Sequence, residues 1–290
     1  MNRKYLILVA IVASVLLCYP APGFATSYLG SAQSFAVLGA AGVTNAHVAD
    51  NPQTTIWGNV GVDPGALTAI TGFPPGIVTG GSIYGPGGVS LNARNDVTTA
   101  YNTLASLPLA TNLTGQDLGT VGTLTPGVYK FSSTAQLTGT LTLDFQGNPN
   151  ADFVFQIGST LTTASSSSVN VINGGPLSGV YWQVGSSATL GPDTTFAGNI
   201  IAQASVSLDP RAEILCGRAF ALTGSVTLID NLISNNNSAE DFDSGRSDFG
   251  SYGFSGGPVG GGVIPEPITL SGLVLGVGSL CGYVRRRARR

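Results

Sequence analysis

Charged side chains are scarce in this chain. Lys and Arg together number 12 and Asp and Glu number 15 among 290 residues, so charged residues make up 9% of the sequence, against about 25% in an ordinary soluble domain. The formal net charge is −3, and the strongest basic cluster is confined to the last six residues. This composition argues against a nucleic-acid partner, because phosphate binding needs clustered Lys and Arg.

The sequence is also poor in the residues that build catalytic and metal sites. It has one histidine, His47, and three cysteines. Cys18 and Cys281 lie in hydrophobic end segments, so Cys216 is alone in the body and is predicted to be a small buried residue. The sequence contains no metal-binding motif, phosphate-binding loop or nucleophile elbow. We therefore predict a protein that is not an enzyme and has no metal and no cofactor.

Glycine, threonine and serine are abundant instead, and 41 residues are glycine. This composition favours strands and tight turns. One short strand recurs, with small residues first, then a hydroxyl residue or Gln, then Leu. The recurring leucines are Leu137, Leu161, Leu190, Leu208 and Leu228. Self-similarity at intervals of about 20–30 residues predicts stacked structural repeats.

Alternation along these strands predicts which side chains face solvent, because successive strand residues point to opposite sides. If each Leu faces inward, one outward column contains Gln136, Thr160, Thr189, Ser207 and Thr227. A second outward column begins with Thr138 and Thr162 and continues with Gly191, Asp209 and Ile229. Stacking would place hydroxyl groups in rows about 4.8 Å apart. The alternative is that Thr is frequent only because it suits strands.

The fold class predicted from these patterns is mainly β, a β-solenoid of triangular cross-section with one long flanking α-helix. Two or three strands per repeat fit such a coil, although a β-sandwich also gives many short strands. The helix is predicted over about 91–107, where Val97, Ala100, Tyr101 and Leu104 form one apolar stripe. Ser90 or Asn92 could cap its start. We expect this stripe to lie against a side of the strand stack.

Both ends of the chain are predicted to direct export. Residues 1–25 have the basic start and short apolar run of a signal peptide. The body follows at 26–234, and a Gly, Ser and Asp-rich stretch at 235–262 is predicted to be a flexible linker. Residues 268–284 are an uncharged apolar run of the minimum length for a membrane helix, followed by an Arg cluster that would stay cytoplasmic.

The order Pro265-Glu266-Pro267, apolar helix and Arg cluster resembles the PEP-CTERM sorting signal of Gram-negative bacteria. The resemblance covers about the last 26 residues, within the segment 263–290. It implies a membrane-bound sorting protease as a partner and a product at the cell surface or outside the cell. The alternative is a permanent C-terminal membrane anchor.

The body resembles the microbial ice-binding protein family over roughly 31–234. The matching stretches are 35–38, 70–76, 146–151, 153–164 and 182–191. The resemblance implies a right-handed, discontinuous β-solenoid whose N-terminal part closes beside the C-terminal coils, and a flat face that binds ice. The residues expected to bind ice are Thr138, Thr160, Thr162, Thr189, Ser207 and Thr227.

Three functions are therefore considered. The first is a secreted or surface-displayed protein that binds ice crystals. The second is a non-enzymatic adhesion or matrix protein on the same fold, with extracellular polysaccharide as a partner. The third is a polysaccharide-cleaving enzyme, which would need clustered carboxylates. Its best candidates, Asp209, Arg211 and Glu213, are more simply explained as a salt cluster in a loop.

Overall fold

The computed structural model describes residues 27–108, 111–235 and 246–257. The predicted signal peptide, 1–25, and the predicted membrane helix, 268–284, lie outside these residues. In the part of the chain that is described, no helix combines the length and the apolar character needed to span a membrane.

The described residues form 22 strands, one α-helix and two short 3-10 helices. The N-terminal strands are β1 (Phe35–Gly39), β2 (Gly42–Ala46), β3 (Thr55–Trp57), β4 (Asn59–Val62), β5 (Ile70–Thr71), β6 (Ile77–Thr79) and β7 (Ile83–Tyr84). The helices are α1 (Gly88–Ser106) and the 3-10 turns Gly30–Ser34 and Leu67–Ala69. The later strands are β8 (Thr111–Asn112), β9 (Thr123–Leu124), β10 (Gly127–Phe131), β11 (Ala135–Leu137), β12 (Thr140–Asp144), β13 (Asp152–Ile157), β14 (Leu161–Thr163), β15 (Ser168–Ile172), β16 (Gly179–Val184), β17 (Ala188–Leu190), β18 (Thr195–Ala202), β19 (Val206–Leu208), β20 (Glu213–Ala221), β21 (Ser225–Ile229) and β22 (Leu232–Ser234).

These strands stack in parallel and form three faces. One face is a seven-stranded sheet in the order β11-β14-β17-β19-β21-β2-β5. The other two faces share a 15-stranded sheet, because β18 and β20 are long enough to turn a corner where their register shifts between Phe196 and Gly198. Their second halves join β16 and β1 in the helix face, and their first halves join β15 and β22 in the third face. Parallel stacking of this kind excludes the β-sandwich.

The interior of the coils is a continuous apolar column. Phe155 and Trp182 stack with ring centroids 4.0 Å apart, and the indole Nε1 of Trp182 donates a hydrogen bond to the Ala197 carbonyl at 3.0 Å. Aromatic rings thus fill this part of the core, while the indole N–H of Trp182 keeps a hydrogen-bond partner. Cys216 is 1% exposed, which confirms that it is a small buried residue.

Helix α1 packs on the helix face, as its apolar stripe predicts. Val97, Ala100 and Leu104 are buried against side chains of β13, β16, β18 and β20. The helix begins at Gly88, three residues earlier than expected, and its N-cap is Gly87 rather than Ser90 or Asn92. Ser90 is buried under the first turn instead. A positive φ at Gly87 lets the chain enter the helix without a side-chain cap.

The N-terminal strands close beside the last coil, as the resemblance implies. Strand β2 lies between β21 and β5, and β3 lies between β22 and β6. The N-terminal strands therefore lie at the β6 end of the 15-stranded sheet. After α1, the chain continues at the opposite end with β8, and the later coils stack back toward the N-terminal strands.

The prediction of a flexible linker over 235–262 is wrong for residues 246–257. Ser251, Phe254 and Ser255 are each at most 1% exposed. The Gly, Ser and Asp-rich composition predicted disorder, but polar side chains of this segment form hydrogen bonds with its own backbone. The Asp248 carboxylate accepts hydrogen bonds from the backbone N–H groups of Gly250 and Gly253, so few apolar contacts are needed to order it.

Candidate functional site

The candidate site is the solvent side of the seven-stranded sheet. Strand register aligns one outward residue from each of its strands in a single row, which we call the hydroxyl file. The hydroxyl file consists of Gln136, Thr162, Thr189, Ser207, Thr227, Thr44 and Thr71. Six of the seven residues carry a hydroxyl group, and adjacent strands in a sheet are about 4.8 Å apart.

The orientation of the hydroxyl file follows from the burial of its neighbours. Val226 and Leu228 are fully buried, while Thr227 between them is exposed. Ala188 and Leu190 flank Thr189 in the same way. Each strand therefore inserts its apolar residues into the core and presents its hydroxyl residue to solvent.

A second row lies beside the hydroxyl file and is tied to the backbone. Register places Thr160, Ser187, Ser205 and Ser225 next to one another in successive strands. The Ser187 Oγ accepts from the Ser205 backbone N–H, and the Ser205 Oγ accepts from the Ser225 backbone N–H, both at 3.3 Å. These bonds fix the serine rotamers and link consecutive coils.

The structure brings together four of the predicted site residues: Thr162, Thr189, Ser207 and Thr227 all lie in the hydroxyl file. The predicted column was wrong for Thr160, which lies in the neighbouring serine row. The reason is register: Leu161 pairs with Ala135 and Ala188, not with the other leucines. Both inward positions of these strands accept an apolar side chain, so leucine spacing does not fix the alignment.

Thr138 lies at the edge of the site. It is exposed and follows the end of β11. Its backbone N–H donates to the Asp117 carboxylate at 2.9 Å, and its Oγ1 accepts from Gln136 Nε2 at 3.3 Å. Thr138 therefore borders the hydroxyl file without belonging to it. Register continues its row through Ala164, Gly191, Asp209 and Ile229, so Ala164 takes the place predicted for Thr162.

Sequence reasoning missed Thr44 and Thr71, which extend the hydroxyl file beyond Thr227. The repeated strand has Leu directly after its outward residue, but Asn45 and Gly72 occupy that position after Thr44 and Thr71. The usable signal is the pair of an apolar β-branched residue and Thr. Val43-Thr44 and Ile70-Thr71 share it with Val226-Thr227.

Charged groups lie at the turns around the sheet rather than on it. The seven strands contain no charged residue. Arg211 binds Asp193 through two hydrogen bonds of 2.7 and 2.8 Å, and this contact lowers the pKa of the Asp193 carboxyl. Of the three residues considered for an enzyme, Arg211 thus forms a turn salt bridge, but its partner is Asp193 rather than Asp209 or Glu213. Within the described ranges no group of three or more His, Cys, Asp or Glu could hold a metal ion.

The geometry suits an extended, uncharged ligand with repeating structure. A regular file of hydroxyl and methyl groups can hydrogen-bond to ordered water or to a polysaccharide, but it offers no attraction to an ionic ligand. The outward polar groups of the hydroxyl file are hydroxyl and amide groups, which form hydrogen bonds without carrying charge.

Comparison with known proteins places this geometry in a family. Residues 37–234 match the family described as Ice-binding-like. The chain is 51% identical to an ice-binding protein of Nostoc sp. (strain HG1), over 81% of this chain and 83% of that protein. It is 32% identical to ice-binding protein 1 of Shewanella frigidimarina, over 72% of this chain and 26% of that longer protein.

Solved structures give the same result. A crystal structure of an ice binding protein from an Antarctic biological consortium matches with a TM-score of 0.65 and 39% identity, over 74% of this chain and 94% of that one. The ice-binding protein of the Antarctic ascomycete Antarctomyces psychrotrophicus matches with a TM-score of 0.64 and 38% identity, over 72% of this chain and 98% of that one. The chain therefore belongs to the Ice-binding-like family.

Proposed function

We propose that this protein binds ice and that the seven-stranded sheet is the adsorbing surface. The observation that carries the proposal is the hydroxyl file, a row of seven uncharged outward residues of which six bear hydroxyl groups. Membership of a family whose relatives are named ice-binding proteins supports it.

Adsorption is a collective effect in this proposal. Each Thr offers one hydroxyl group and one methyl group, and each contact with ordered water is weak. Because many contacts engage a rigid sheet at once, release requires all of them to break together. The absence of charge on the strands helps, since a charged side chain would hold a disordered hydration shell against the crystal.

The test is Thr189→Lys, which places a long charged side chain in the middle of the hydroxyl file. We expect thermal hysteresis and ice recrystallisation inhibition to fall to the level of buffer while the circular dichroism spectrum is unchanged. The matched control is Thr98→Lys, on the exposed side of α1, which should retain both activities. Equal activity of the two variants would show that this sheet does not adsorb to ice.

For location, we propose export through the signal peptide at 1–25 and attachment through the tail at 263–290, with a membrane helix at 268–284. The tail's resemblance to a sorting signal supports a membrane protease as a partner, and extracellular polysaccharide would be a neighbour at the cell surface. We also propose that the coils wind in a right-handed direction, which the resemblance of the body to the ice-binding protein family supports.

A further inference from the structure

Residues 246–257, which we call the strap, lie beyond the family match that ends at residue 234. The strap follows the corner where the third face meets the helix face. Its Phe254 carbonyl accepts hydrogen bonds from the Val180 backbone N–H at 2.9 Å and from Asn199 Nδ2 at 2.8 Å. Gly179 and Ser255 form an antiparallel bridge beside these bonds.

A fully buried arginine holds the strap to this corner. Arg218 is 0% exposed. Its guanidinium donates to the carbonyls of Tyr252 at 3.0 Å and Gly253 at 3.1 Å. It also donates to the carbonyls of Gln33 and Asn235. Because a planar guanidinium presents five donors in fixed directions, one side chain joins the strap, the N-terminal segment and the end of the last coil.

The start of the strap is fixed as firmly as its middle. Arg246 donates to the backbone carbonyls of Val169, Thr195 and Phe196 on the third face. Within the strap, Phe249, Tyr252 and Phe254 have positive φ, a conformation that non-glycine residues rarely adopt. Such a backbone persists only where its surroundings over-determine it, and here the Asp248 carboxylate and the Arg218 guanidinium supply the bonds.

This corner lies opposite the candidate site. Each coil has three sides, and the third face and the helix face meet at the bulge of β18, whereas the seven-stranded sheet forms the remaining side. The beginning of the described body reaches the same place, since Gln33 Nε2 donates to the Gly257 carbonyl at 3.3 Å. The described part of the strap therefore ends, at Gly257, on the corner opposite the seven-stranded sheet.

We propose that the strap is a short-tether device that orients the protein: it fixes the exit of the C-terminal tail so that a protein held by its tail presents the hydroxyl file away from the membrane. The inference rests on the membrane attachment stated under the proposed function. Ten residues, 258–267, separate the strap from the apolar run and can span at most about 36 Å. Without the strap the tether would be 236–267, with a reach of up to about 115 Å, and the body could turn freely.

The first test measures the strap alone, with the full chain in phosphatidylcholine–phosphatidylglycerol vesicles. Trypsin should cut slowly after Arg246 in the wild-type chain, because proteolysis follows the population of the open state. Asp248→Ala removes the acceptor of two backbone N–H groups, and we expect cleavage there at least about tenfold faster. The control is Asp117→Ala, which removes a similar acceptor from Gly119 and Thr138 and should leave cleavage after Arg246 unchanged. Equal cleavage rates in the wild-type and Asp248→Ala chains would overturn the strap.

The second test measures orientation, in a chain that carries Cys18→Ser and Cys281→Ser. A donor fluorophore is placed at Gln146→Cys, in an exposed turn at the strap's corner, or at Thr189→Cys in the hydroxyl file, with acceptor dye on the lipid. We expect stronger energy transfer from position 146 than from position 189, and a smaller difference after Asp248→Ala. Equal or reversed transfer in the wild-type background overturns the orientation.

Neither measurement involves ice, so a protein that fails to adsorb to ice can still pass both. A chain that does not float with the vesicles disproves the membrane attachment and the orientation together, while the trypsin result still decides whether the strap is closed.

Discussion

Thr44 and Thr227 lie side by side on the seven-stranded sheet, with their Oγ1 atoms 3.5 Å apart, although 183 positions separate them in the chain. Strand β2 brings Thr44 into the hydroxyl file by pairing with β21, and β5 adds Thr71 beyond it. The candidate surface is thus built from two distant parts of the sequence.

The N-terminal part of the hydroxyl file is expected to contribute to adsorption. Thr44→Lys should remove most of the thermal hysteresis, and Thr71→Lys at the edge should remove less, because a charge at the end of the row leaves the other residues free to engage. Thr68→Lys, an exposed position in the 3-10 helix Leu67–Ala69, is the control. Full activity in Thr44→Lys would confine the adsorbing surface to β11, β14, β17, β19 and β21.

The other end of the hydroxyl file can be improved. Gln136 is exposed and its long amide side chain bends toward Thr138. Gln136→Thr replaces it with the shorter, β-branched side chain of its neighbours, so we expect higher thermal hysteresis at equal concentration. Gln146→Thr, at the opposite corner, should change nothing. A loss of activity in Gln136→Thr would indicate that the amide itself contacts ice.

Stability should fall between about pH 4 and pH 6 because of one carboxyl group. Burial raises the pKa of Asp152 from the usual 3.8 of an aspartate to about 6. In that interval the unfolded chain has lost the proton while the folded chain retains it, so raising the pH favours unfolding. Asp152→Asn should match the wild type at pH 4 and exceed it by roughly 2–3 kcal/mol at pH 8. Thermal unfolding followed by circular dichroism checks this, and a wild-type stability that does not fall between these pH values contradicts it.

Arg218 should not be replaceable by lysine. An ammonium group has three donors on a flexible stem and cannot reach the carbonyls of Gln33, Asn235, Tyr252 and Gly253 together. We expect Arg218→Lys to lower the free energy of unfolding by about 2–4 kcal/mol, because buried carbonyls lose their partners.

The matched control for Arg218→Lys is Arg94→Lys. Arg94 pairs with Asp63 at 3.0 Å and its side chain is 35% exposed, so the change should stay within about 1 kcal/mol. Similar destabilisation in both variants would show that the fork geometry of Arg218 is unimportant.

The sequence was sufficient for the general architecture and for part of the site. Alternation within each strand predicted which residues face outward, and the apolar stripe around Val97 predicted the helix. Alignment between strands was harder, because Leu161 packs equally well at either inward position, and this moved Thr160 out of its predicted column. Thr44 was hidden because its pairing is entirely non-local.

The strap was missed for another physical reason. Periodicity detects regularly spaced apolar side chains, whereas the strap adds Phe254 to the core without such a pattern and is otherwise held by hydrogen bonds to its backbone. Its main partner, Arg218, lies among apolar residues in the second half of β20, and the sequence gave no indication of what it binds.

The position of β2 between β21 and β5 has a consequence for biogenesis. A ribosome releases the N-terminal strand first, yet its partner β21 ends only at Ile229, so nearly the whole body must emerge before the stack can close. Contacts of such long sequence separation form slowly. A polypeptide that cannot complete its fold early remains unfolded for longer, and an unfolded chain is what passage through a secretion channel requires.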